Sequence, residues 1–128
     1  SASSVPYKLL ESWRQNEYIL VTSVLILAEV KEVLEREEIQ FHFSITASQV
    51  KEVLDTLMTH AFITPGKLEI NVVKNDPDDN KFIAAAIEGS ASYVISGDRH
   101  LLDIKEYEGI KIMKARNFLE GVLQKDVK

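Results

Sequence analysis

The chain has 128 residues, 45% of them hydrophobic and 27% charged, with 15 Lys and Arg against 20 Asp and Glu and a formal net charge of −5. One domain of ordinary globular composition fits that length, and an acidic surface excludes non-specific nucleic-acid binding unless a basic patch or metal ions supply local positive charge. Cysteine is absent, which excludes disulfides, thiolate zinc sites and cysteine nucleophiles and fits a reducing cytoplasm.

A helical pattern runs from Pro6 to about Asn16, with Tyr7, Leu9, Leu10 and Trp13 apolar and Pro6 suited to the first turn. Tyr18-Ile19-Leu20-Val21 reads as a strand buried on both faces. The longest apolar stretch, Tyr18 to Val30, is interrupted by Thr22, Ser23 and Glu29, so it is too short and too polar to span a bilayer. Ser23 caps a helix to about Glu35, and a further helix is expected between Ser44 and Ala61, ending before Pro65-Gly66. Ile70 to Val73 reads as a strand. Asn75 to Asn80 forms a turn opening a helix to about Glu88. Tyr93 to Ile95 is a strand stopped by Ser96-Gly97-Asp98, with Leu101 and Leu102 in a short helical turn. Ile110 to Ile112 is the last strand and Ala115 to Leu123 the last helix. Strands alternating with helices predict an α/β domain with a mostly parallel sheet, over residues 1–128.

In such folds ligands collect at the carboxyl ends of strands, which directs attention to Thr22 and Ser23, Asn75 to Asp79, and Ser96 to Asp98. With 100° per residue, Asp79 falls on the axis of the apolar face formed by Phe82, Ile83, Ala86 and Ile87. A carboxylate there points at the core edge, whereas Asp78 turns toward water. The structural alternative is capping, with Asp76 as N-cap, Pro77 first in the helix and Asp79 reaching back. Capping is expected of at least one of these aspartates. Asp98 is either a functional acid or the N-cap of Arg99 to Leu102. Glu29 lies at the boundary of its helix's core face. Three carboxylates from three elements repel one another unless a cation neutralises them, and all-oxygen ligation selects Mg²⁺ or Mn²⁺.

Other patterns point to less. His42, His60 and His100 lack ligand spacing and read as surface or half-buried residues. Ser23 and Ser96 have no partner base, and no glycine-rich phosphate loop occurs. Lys31, Arg36, Lys51 and Lys81 read as solvated. A receiver-like phosphoacceptor domain would need paired acids ending the first strand and a late lysine; neither pattern stands out.

The run Asp76-Pro-Asp-Asp-Asn-Lys-Phe-Ile-Ala-Ala-Ala-Ile, followed by Ala91-Ser-Tyr-Val-Ile-Ser-Gly-Asp-Arg-His-Leu-Leu-Asp, resembles the PIN domain, and most of all the VapC-like toxins of prokaryotic toxin–antitoxin pairs. Ser3-Ser-Val-Pro-Tyr-Lys-Leu-Leu, Val21-Thr-Ser-Val-Leu-Ile-Leu-Ala-Glu-Val and Ile110 to Leu119 resemble the same branch. The resemblance implies a three-layer α/β/α fold and a cytoplasmic endoribonuclease that hydrolyses RNA phosphodiesters with Mg²⁺ or Mn²⁺. Glu29, Asp79 and Asp98 match its acids, with Asp76 and Ser96 as secondary candidates. It also implies a cognate antitoxin. The family's opening strand, ending in an Asp-Thr-Asn type motif, has no counterpart in this sequence, which begins where that strand would end. The expectation is therefore a truncated domain whose sheet lacks its central strand. Weak metal binding, dimerisation, strand donation or domain swapping would follow, and the alternative function is a catalytically defective module that binds a protein partner.

Overall fold

The structure is a computed structural model that describes residues 4–127; Ser3, where the opening resemblance begins, and the outermost ends of the expected 1–128 domain lie outside them. Helix α1 (Val5–Arg14) begins at Ser4, whose side chain accepts from the Tyr7 N–H. Strand β1 is Val21–Ser23, so the apolar run at Tyr18 is a lead-in and not the strand itself. Ile19 is 78% exposed there. Tyr18 is tied down by its own chemistry: its hydroxyl donates to the Leu9 carbonyl at 2.7 Å and its ring meets Phe118 edge-on at 5.4 Å. Burial pushes the Tyr18 hydroxyl pKa up to about 12.

Ser23 caps α2 (Val24–Leu34) as expected, accepting from the Ile26 N–H at 3.2 Å. The helix expected between Ser44 and Ala61 is present as one helix, and a shorter one, not foreseen from the sequence, precedes it. A short α3 (Glu37–His42) is followed by Ser44 at φ 53°, and α4 (Ala47–His60) starts afresh with a capping box between Thr46 and Gln49. Strand β2 (Phe62–Thr64), not foreseen from the sequence, pairs parallel with β1 in register Thr22 to Ile63.

Ile70 to Val73 is not a strand. The amides a ladder would use are taken by a side chain: Asn80 Oδ1 accepts from the N–H groups of Val72 and Val73, both at 2.8 Å. Asn80 Nδ2 donates to the Pro77 carbonyl at 2.8 Å. One asparagine thus replaces a neighbouring strand, and Val73 still reaches the core. The preceding loop is held from the other end of the same helix, where the Glu88 carboxylate accepts from the N–H groups of Gly66, Lys67 and Leu68. That helix, α5 (Asn80–Glu88), follows a 3₁₀ turn at Pro77–Asp79 and stops at Gly89. A Cβ on Gly89 would lie 2.5 Å from Val21 Cγ1, so α5 and β1 meet closely there.

Strand β3 (Tyr93–Ile95), helix α6 (Arg99–Leu102), strand β4 (Glu106–Tyr107) and strand β5 (Ile110–Met113) complete the second sheet, in order β3-β5-β4. The β3–β5 pair is parallel and β4 is antiparallel to β5. The β4–β5 hairpin turns through Glu108 (φ 48°) and Gly109 (φ 83°); two positive φ values suit a two-residue turn matching the twist of the strands. The expected last helix is split into α7 (Ala115–Asn117) and a π-helical turn, Phe118–Val122.

Side chains alternate across β3. Val94 points into the cluster of Val73, Ile83, Ala86, Leu101, Ile110 and Ile112. Tyr93 points the other way and its ring meets Phe118 at 5.5 Å. Helices therefore cover both faces, giving the expected α/β fold with a mostly parallel sheet. The sheet is in two pieces: β1 pairs only with β2 and β3 only with β5, and among the described residues no strand joins them. Helix α5 packs against both β1 and β3 and spans the break. No described helix is long and apolar enough to cross a membrane.

Candidate metal centre

The site is built from the two turns that follow Val73 and β3. Asp79, placed by the sequence on the apolar face of the helix it opens, is 9% exposed, while Ile83, one turn further on, is fully buried. The capping alternative fails. Neither Asp76 nor Asp79 makes a side-chain cap bond. Asp78 is largely exposed and binds Lys81 at 2.8 Å. Asp79 is left as a buried carboxyl. It sits within hydrogen-bonding reach of Asp98 and faces Asp76, and its Oδ2 has no hydrogen-bond partner among the described residues. Burial first, then the negative charges of Asp76 and Asp98, push its pKa up from 3.8 to about 6.

Asp98 is the N-cap that the sequence allowed, and it also lies close to Asp79. Its Oδ1 caps α6 by accepting from the His100 N–H at 2.7 Å, and its carboxyl lies against Asp79. The Ser96 Oγ accepts from the Asp98 N–H at 3.0 Å and so fixes the loop carrying the acid. The sequence missed His100. Its Nδ1 lies 3.8 Å from Asp98 Oδ1 and 3.9 Å from Asp76 Oδ2, and one donor atom each from Asp76, Asp98 and His100 lie within 4.8 Å of one another. The one local signal was the Asp98-Arg99-His100 spacing at a helix start, where the cap side chain bonds the backbone N–H of the residue two further on.

Glu29 is held differently. Its carboxylate pairs with Lys81 Nζ, which also binds Asp78, and it is not one of the three donors that approach one another near His100. Lys81, read from the sequence as solvated, has a side chain only 13% exposed. Burial favours the neutral amine, but Asp78 and Glu29 outweigh it and hold the lysine pKa above its ordinary value. The structure thus gathers Asp76, Asp79, Asp98 and His100, whereas Glu29 is engaged by Lys81.

An orphaned, buried carboxylate oxygen among three carboxyls fits a divalent cation, since a cation relieves both the desolvation and the mutual repulsion. Next to it, a cleft of about 630 Å³ has a mixed lining that includes Leu25, Leu68 and Ile70 together with Glu69, Asp78 and Lys81. An α/β domain with clustered acids in the loops beyond a parallel strand has the build of a nuclease-type fold. The family model of the PIN domain matches residues 1–100, and the chain belongs to the PIN domain family. Neither a curated protein nor a solved structure matches it.

Proposed function

We propose that this protein is a metal-dependent endoribonuclease of the VapC-like kind, hydrolysing RNA phosphodiester bonds with Mg²⁺ or Mn²⁺ in the cytoplasm under the control of a cognate antitoxin. The observation that carries the reading is Asp79: a buried carboxyl, without a partner for one oxygen, pressed against two more acids. Bound among these acids, the metal supplies an activated water and positive charge for phosphoryl transfer. The chain's own residues prepare that chemistry. Asp79 and Asp98 hold the ion, Ser96 and the start of α6 fix Asp98, and Asn80 fixes the turn that carries Asp79. Lys81 keeps Glu29 oriented toward α5, from where it would join the ligands after exchanging its lysine partner. The adjoining cleft, lined in part by Leu25, Leu68, Ile70 and Pro77, offers apolar surface to a base.

Manganese-dependent cleavage of RNA that is lost in Asp79→Asn tests this reading; equal cleavage by both proteins refutes it. A second reading is a catalytically defective PIN-like module that binds a protein partner. The Lys81–Glu29 pair favours it, because one of the three matched acids is already neutralised. A well-folded chain that binds antitoxin and leaves RNA intact at saturating Mn²⁺ would establish it. Each half-sheet also has an open strand edge at β1 and at β3. Such edges pair readily with another strand, and a homodimer or domain-swapped oligomer formed through them is the expected state in solution.

A further inference from the structure

His100 stands at the first turn of α6, pinned by its own backbone N–H on Asp98 Oδ1. Its Nδ1 lies beyond hydrogen-bonding range of both neighbouring carboxylates, at 3.8 and 3.9 Å. Two donors that share one ion through bonds of about 2.1 Å can be no further apart than about 4.2 Å. Both distances fall inside that limit. The largest separation allowed within the Asp76, Asp98 and His100 group is 4.8 Å, an excess that a small rotation of the half-exposed Asp side chains removes. Exposed acids with a histidine nearby would by themselves mean little. Here they adjoin Asp79, which is 9% exposed and has an oxygen without a hydrogen-bond partner among the described residues. That buried, unsatisfied group points to a ligand at this place and not to a chance surface cluster.

We propose that His100 Nδ1 is a metal ligand together with Asp98 and Asp76, so that the centre is a mixed nitrogen–oxygen site taking Mn²⁺, Co²⁺ or Zn²⁺ in preference to Mg²⁺. The proposal rests on the reading of the acid cluster as a metal centre and adds two ligands, Asp76 and His100, and the class of ion. The chemical reason is the donor. Imidazole nitrogen suits borderline transition ions, whereas Mg²⁺ prefers oxygen and retains its waters. Among transition ions, affinity at such a site rises from Mn²⁺ toward the later metals. The lone pair must be on Nδ1, so the proton of the neutral ring sits on Nε2, which leaves the metal-facing edge free.

The test uses the full chain, metal-free at pH 7.5, titrated separately with Mg²⁺, Mn²⁺ and Co²⁺ by calorimetry, as wild type, His100→Gln and Asp79→Asn. The ring nitrogens of His100 are followed by NMR during a Zn²⁺ titration of the wild type. The expected result is tighter binding of Mn²⁺ and Co²⁺ than of Mg²⁺, and a loss of about 10-fold or more in Mn²⁺ and Co²⁺ affinity in His100→Gln with Mg²⁺ affinity unchanged. The Nδ1 resonance of His100 should shift on Zn²⁺ binding. Wild type and His100→Gln binding all three ions alike, with an unmoved Nδ1 resonance, overturns the ligand assignment. If Asp79→Asn still weakens binding in that case, the acid centre stands without the histidine. If the wild type binds none of the ions, both readings fall together.

Discussion

The buried Asp79 carboxyl has a consequence for stability that is separable from catalysis. Without a cation, folding moves this group from a pKa of 3.8 to about 6, because burial and the charges of Asp76 and Asp98 disfavour its ionised form. The unfolded chain therefore ionises Asp79 first as the pH rises. The cost to the folded state is absent below about pH 4, grows between 4 and 6, and is constant above 6. About two pH units at about 1.4 kcal/mol each gives about 3 kcal/mol at neutral pH. Asp79→Asn keeps the shape, removes the charge and can donate to the facing Asp98. In EDTA at pH 7.5 the variant should be more stable than the wild type by about 2–3 kcal/mol in urea unfolding, with a Tm about 10 °C higher. The difference should fade through pH 6 and be nearly gone at pH 4. Saturating Mn²⁺ should raise the wild-type Tm and leave that of the variant almost unmoved. A variant that is less stable than the wild type at pH 7.5, or a difference independent of pH, would refute the reasoning. A structural capping acid predicts the opposite sign, since removing a cap destabilises.

Three further outcomes follow from the elements that carry the site. Asn80→Ala leaves the Val72 and Val73 amides without their acceptor and should cost about 2–4 kcal/mol, with hydrogen exchange at those two amides accelerating more than in β3 or β5. Gly89→Ala forces a Cβ to within 2.5 Å of Val21 Cγ1 and should cost about 1–3 kcal/mol in urea unfolding, part of which Val21→Ala recovers in the double variant. Burial raises the Glu88 carboxyl pKa, but the Thr64 hydroxyl and the amides of Leu68, Lys67 and Gly66 outweigh it and hold it below the ordinary 4.5. Its ionised form therefore stabilises the fold above pH 4.5, and that contribution is lost as the pH falls through the lowered value. Glu88→Gln should thus be less stable than the wild type at pH 7 and approach it in acid, as urea midpoints across pH would record.

What the sequence determined by itself was local and periodic. Ser23 as a helix cap, the strands at Tyr93 and Ile110, the α/β class and the burial of Asp79 all follow from side-chain type and spacing over a few residues. Helix α3 (Glu37–His42) was missed because it has six residues and no side-chain cap bond, so neither a full period nor a capping residue marks it. Other features were decided only in three dimensions. Ile70 to Val73 has a strand's composition, but whether its amides meet another backbone or the Asn80 side chain depends on where α5 lies. Lys81 looks solvated on its own helix and is buried because α2 brings Glu29 against it. Asp76, Asp98 and His100 come from two loops, and their approach to within 4.8 Å is set by the packing of the turn before α5 beside the start of α6. Periodicity fixes which face a residue occupies, whereas a charge partner or a metal donor is defined by distance to another element, and that distance exists only once the layers have packed.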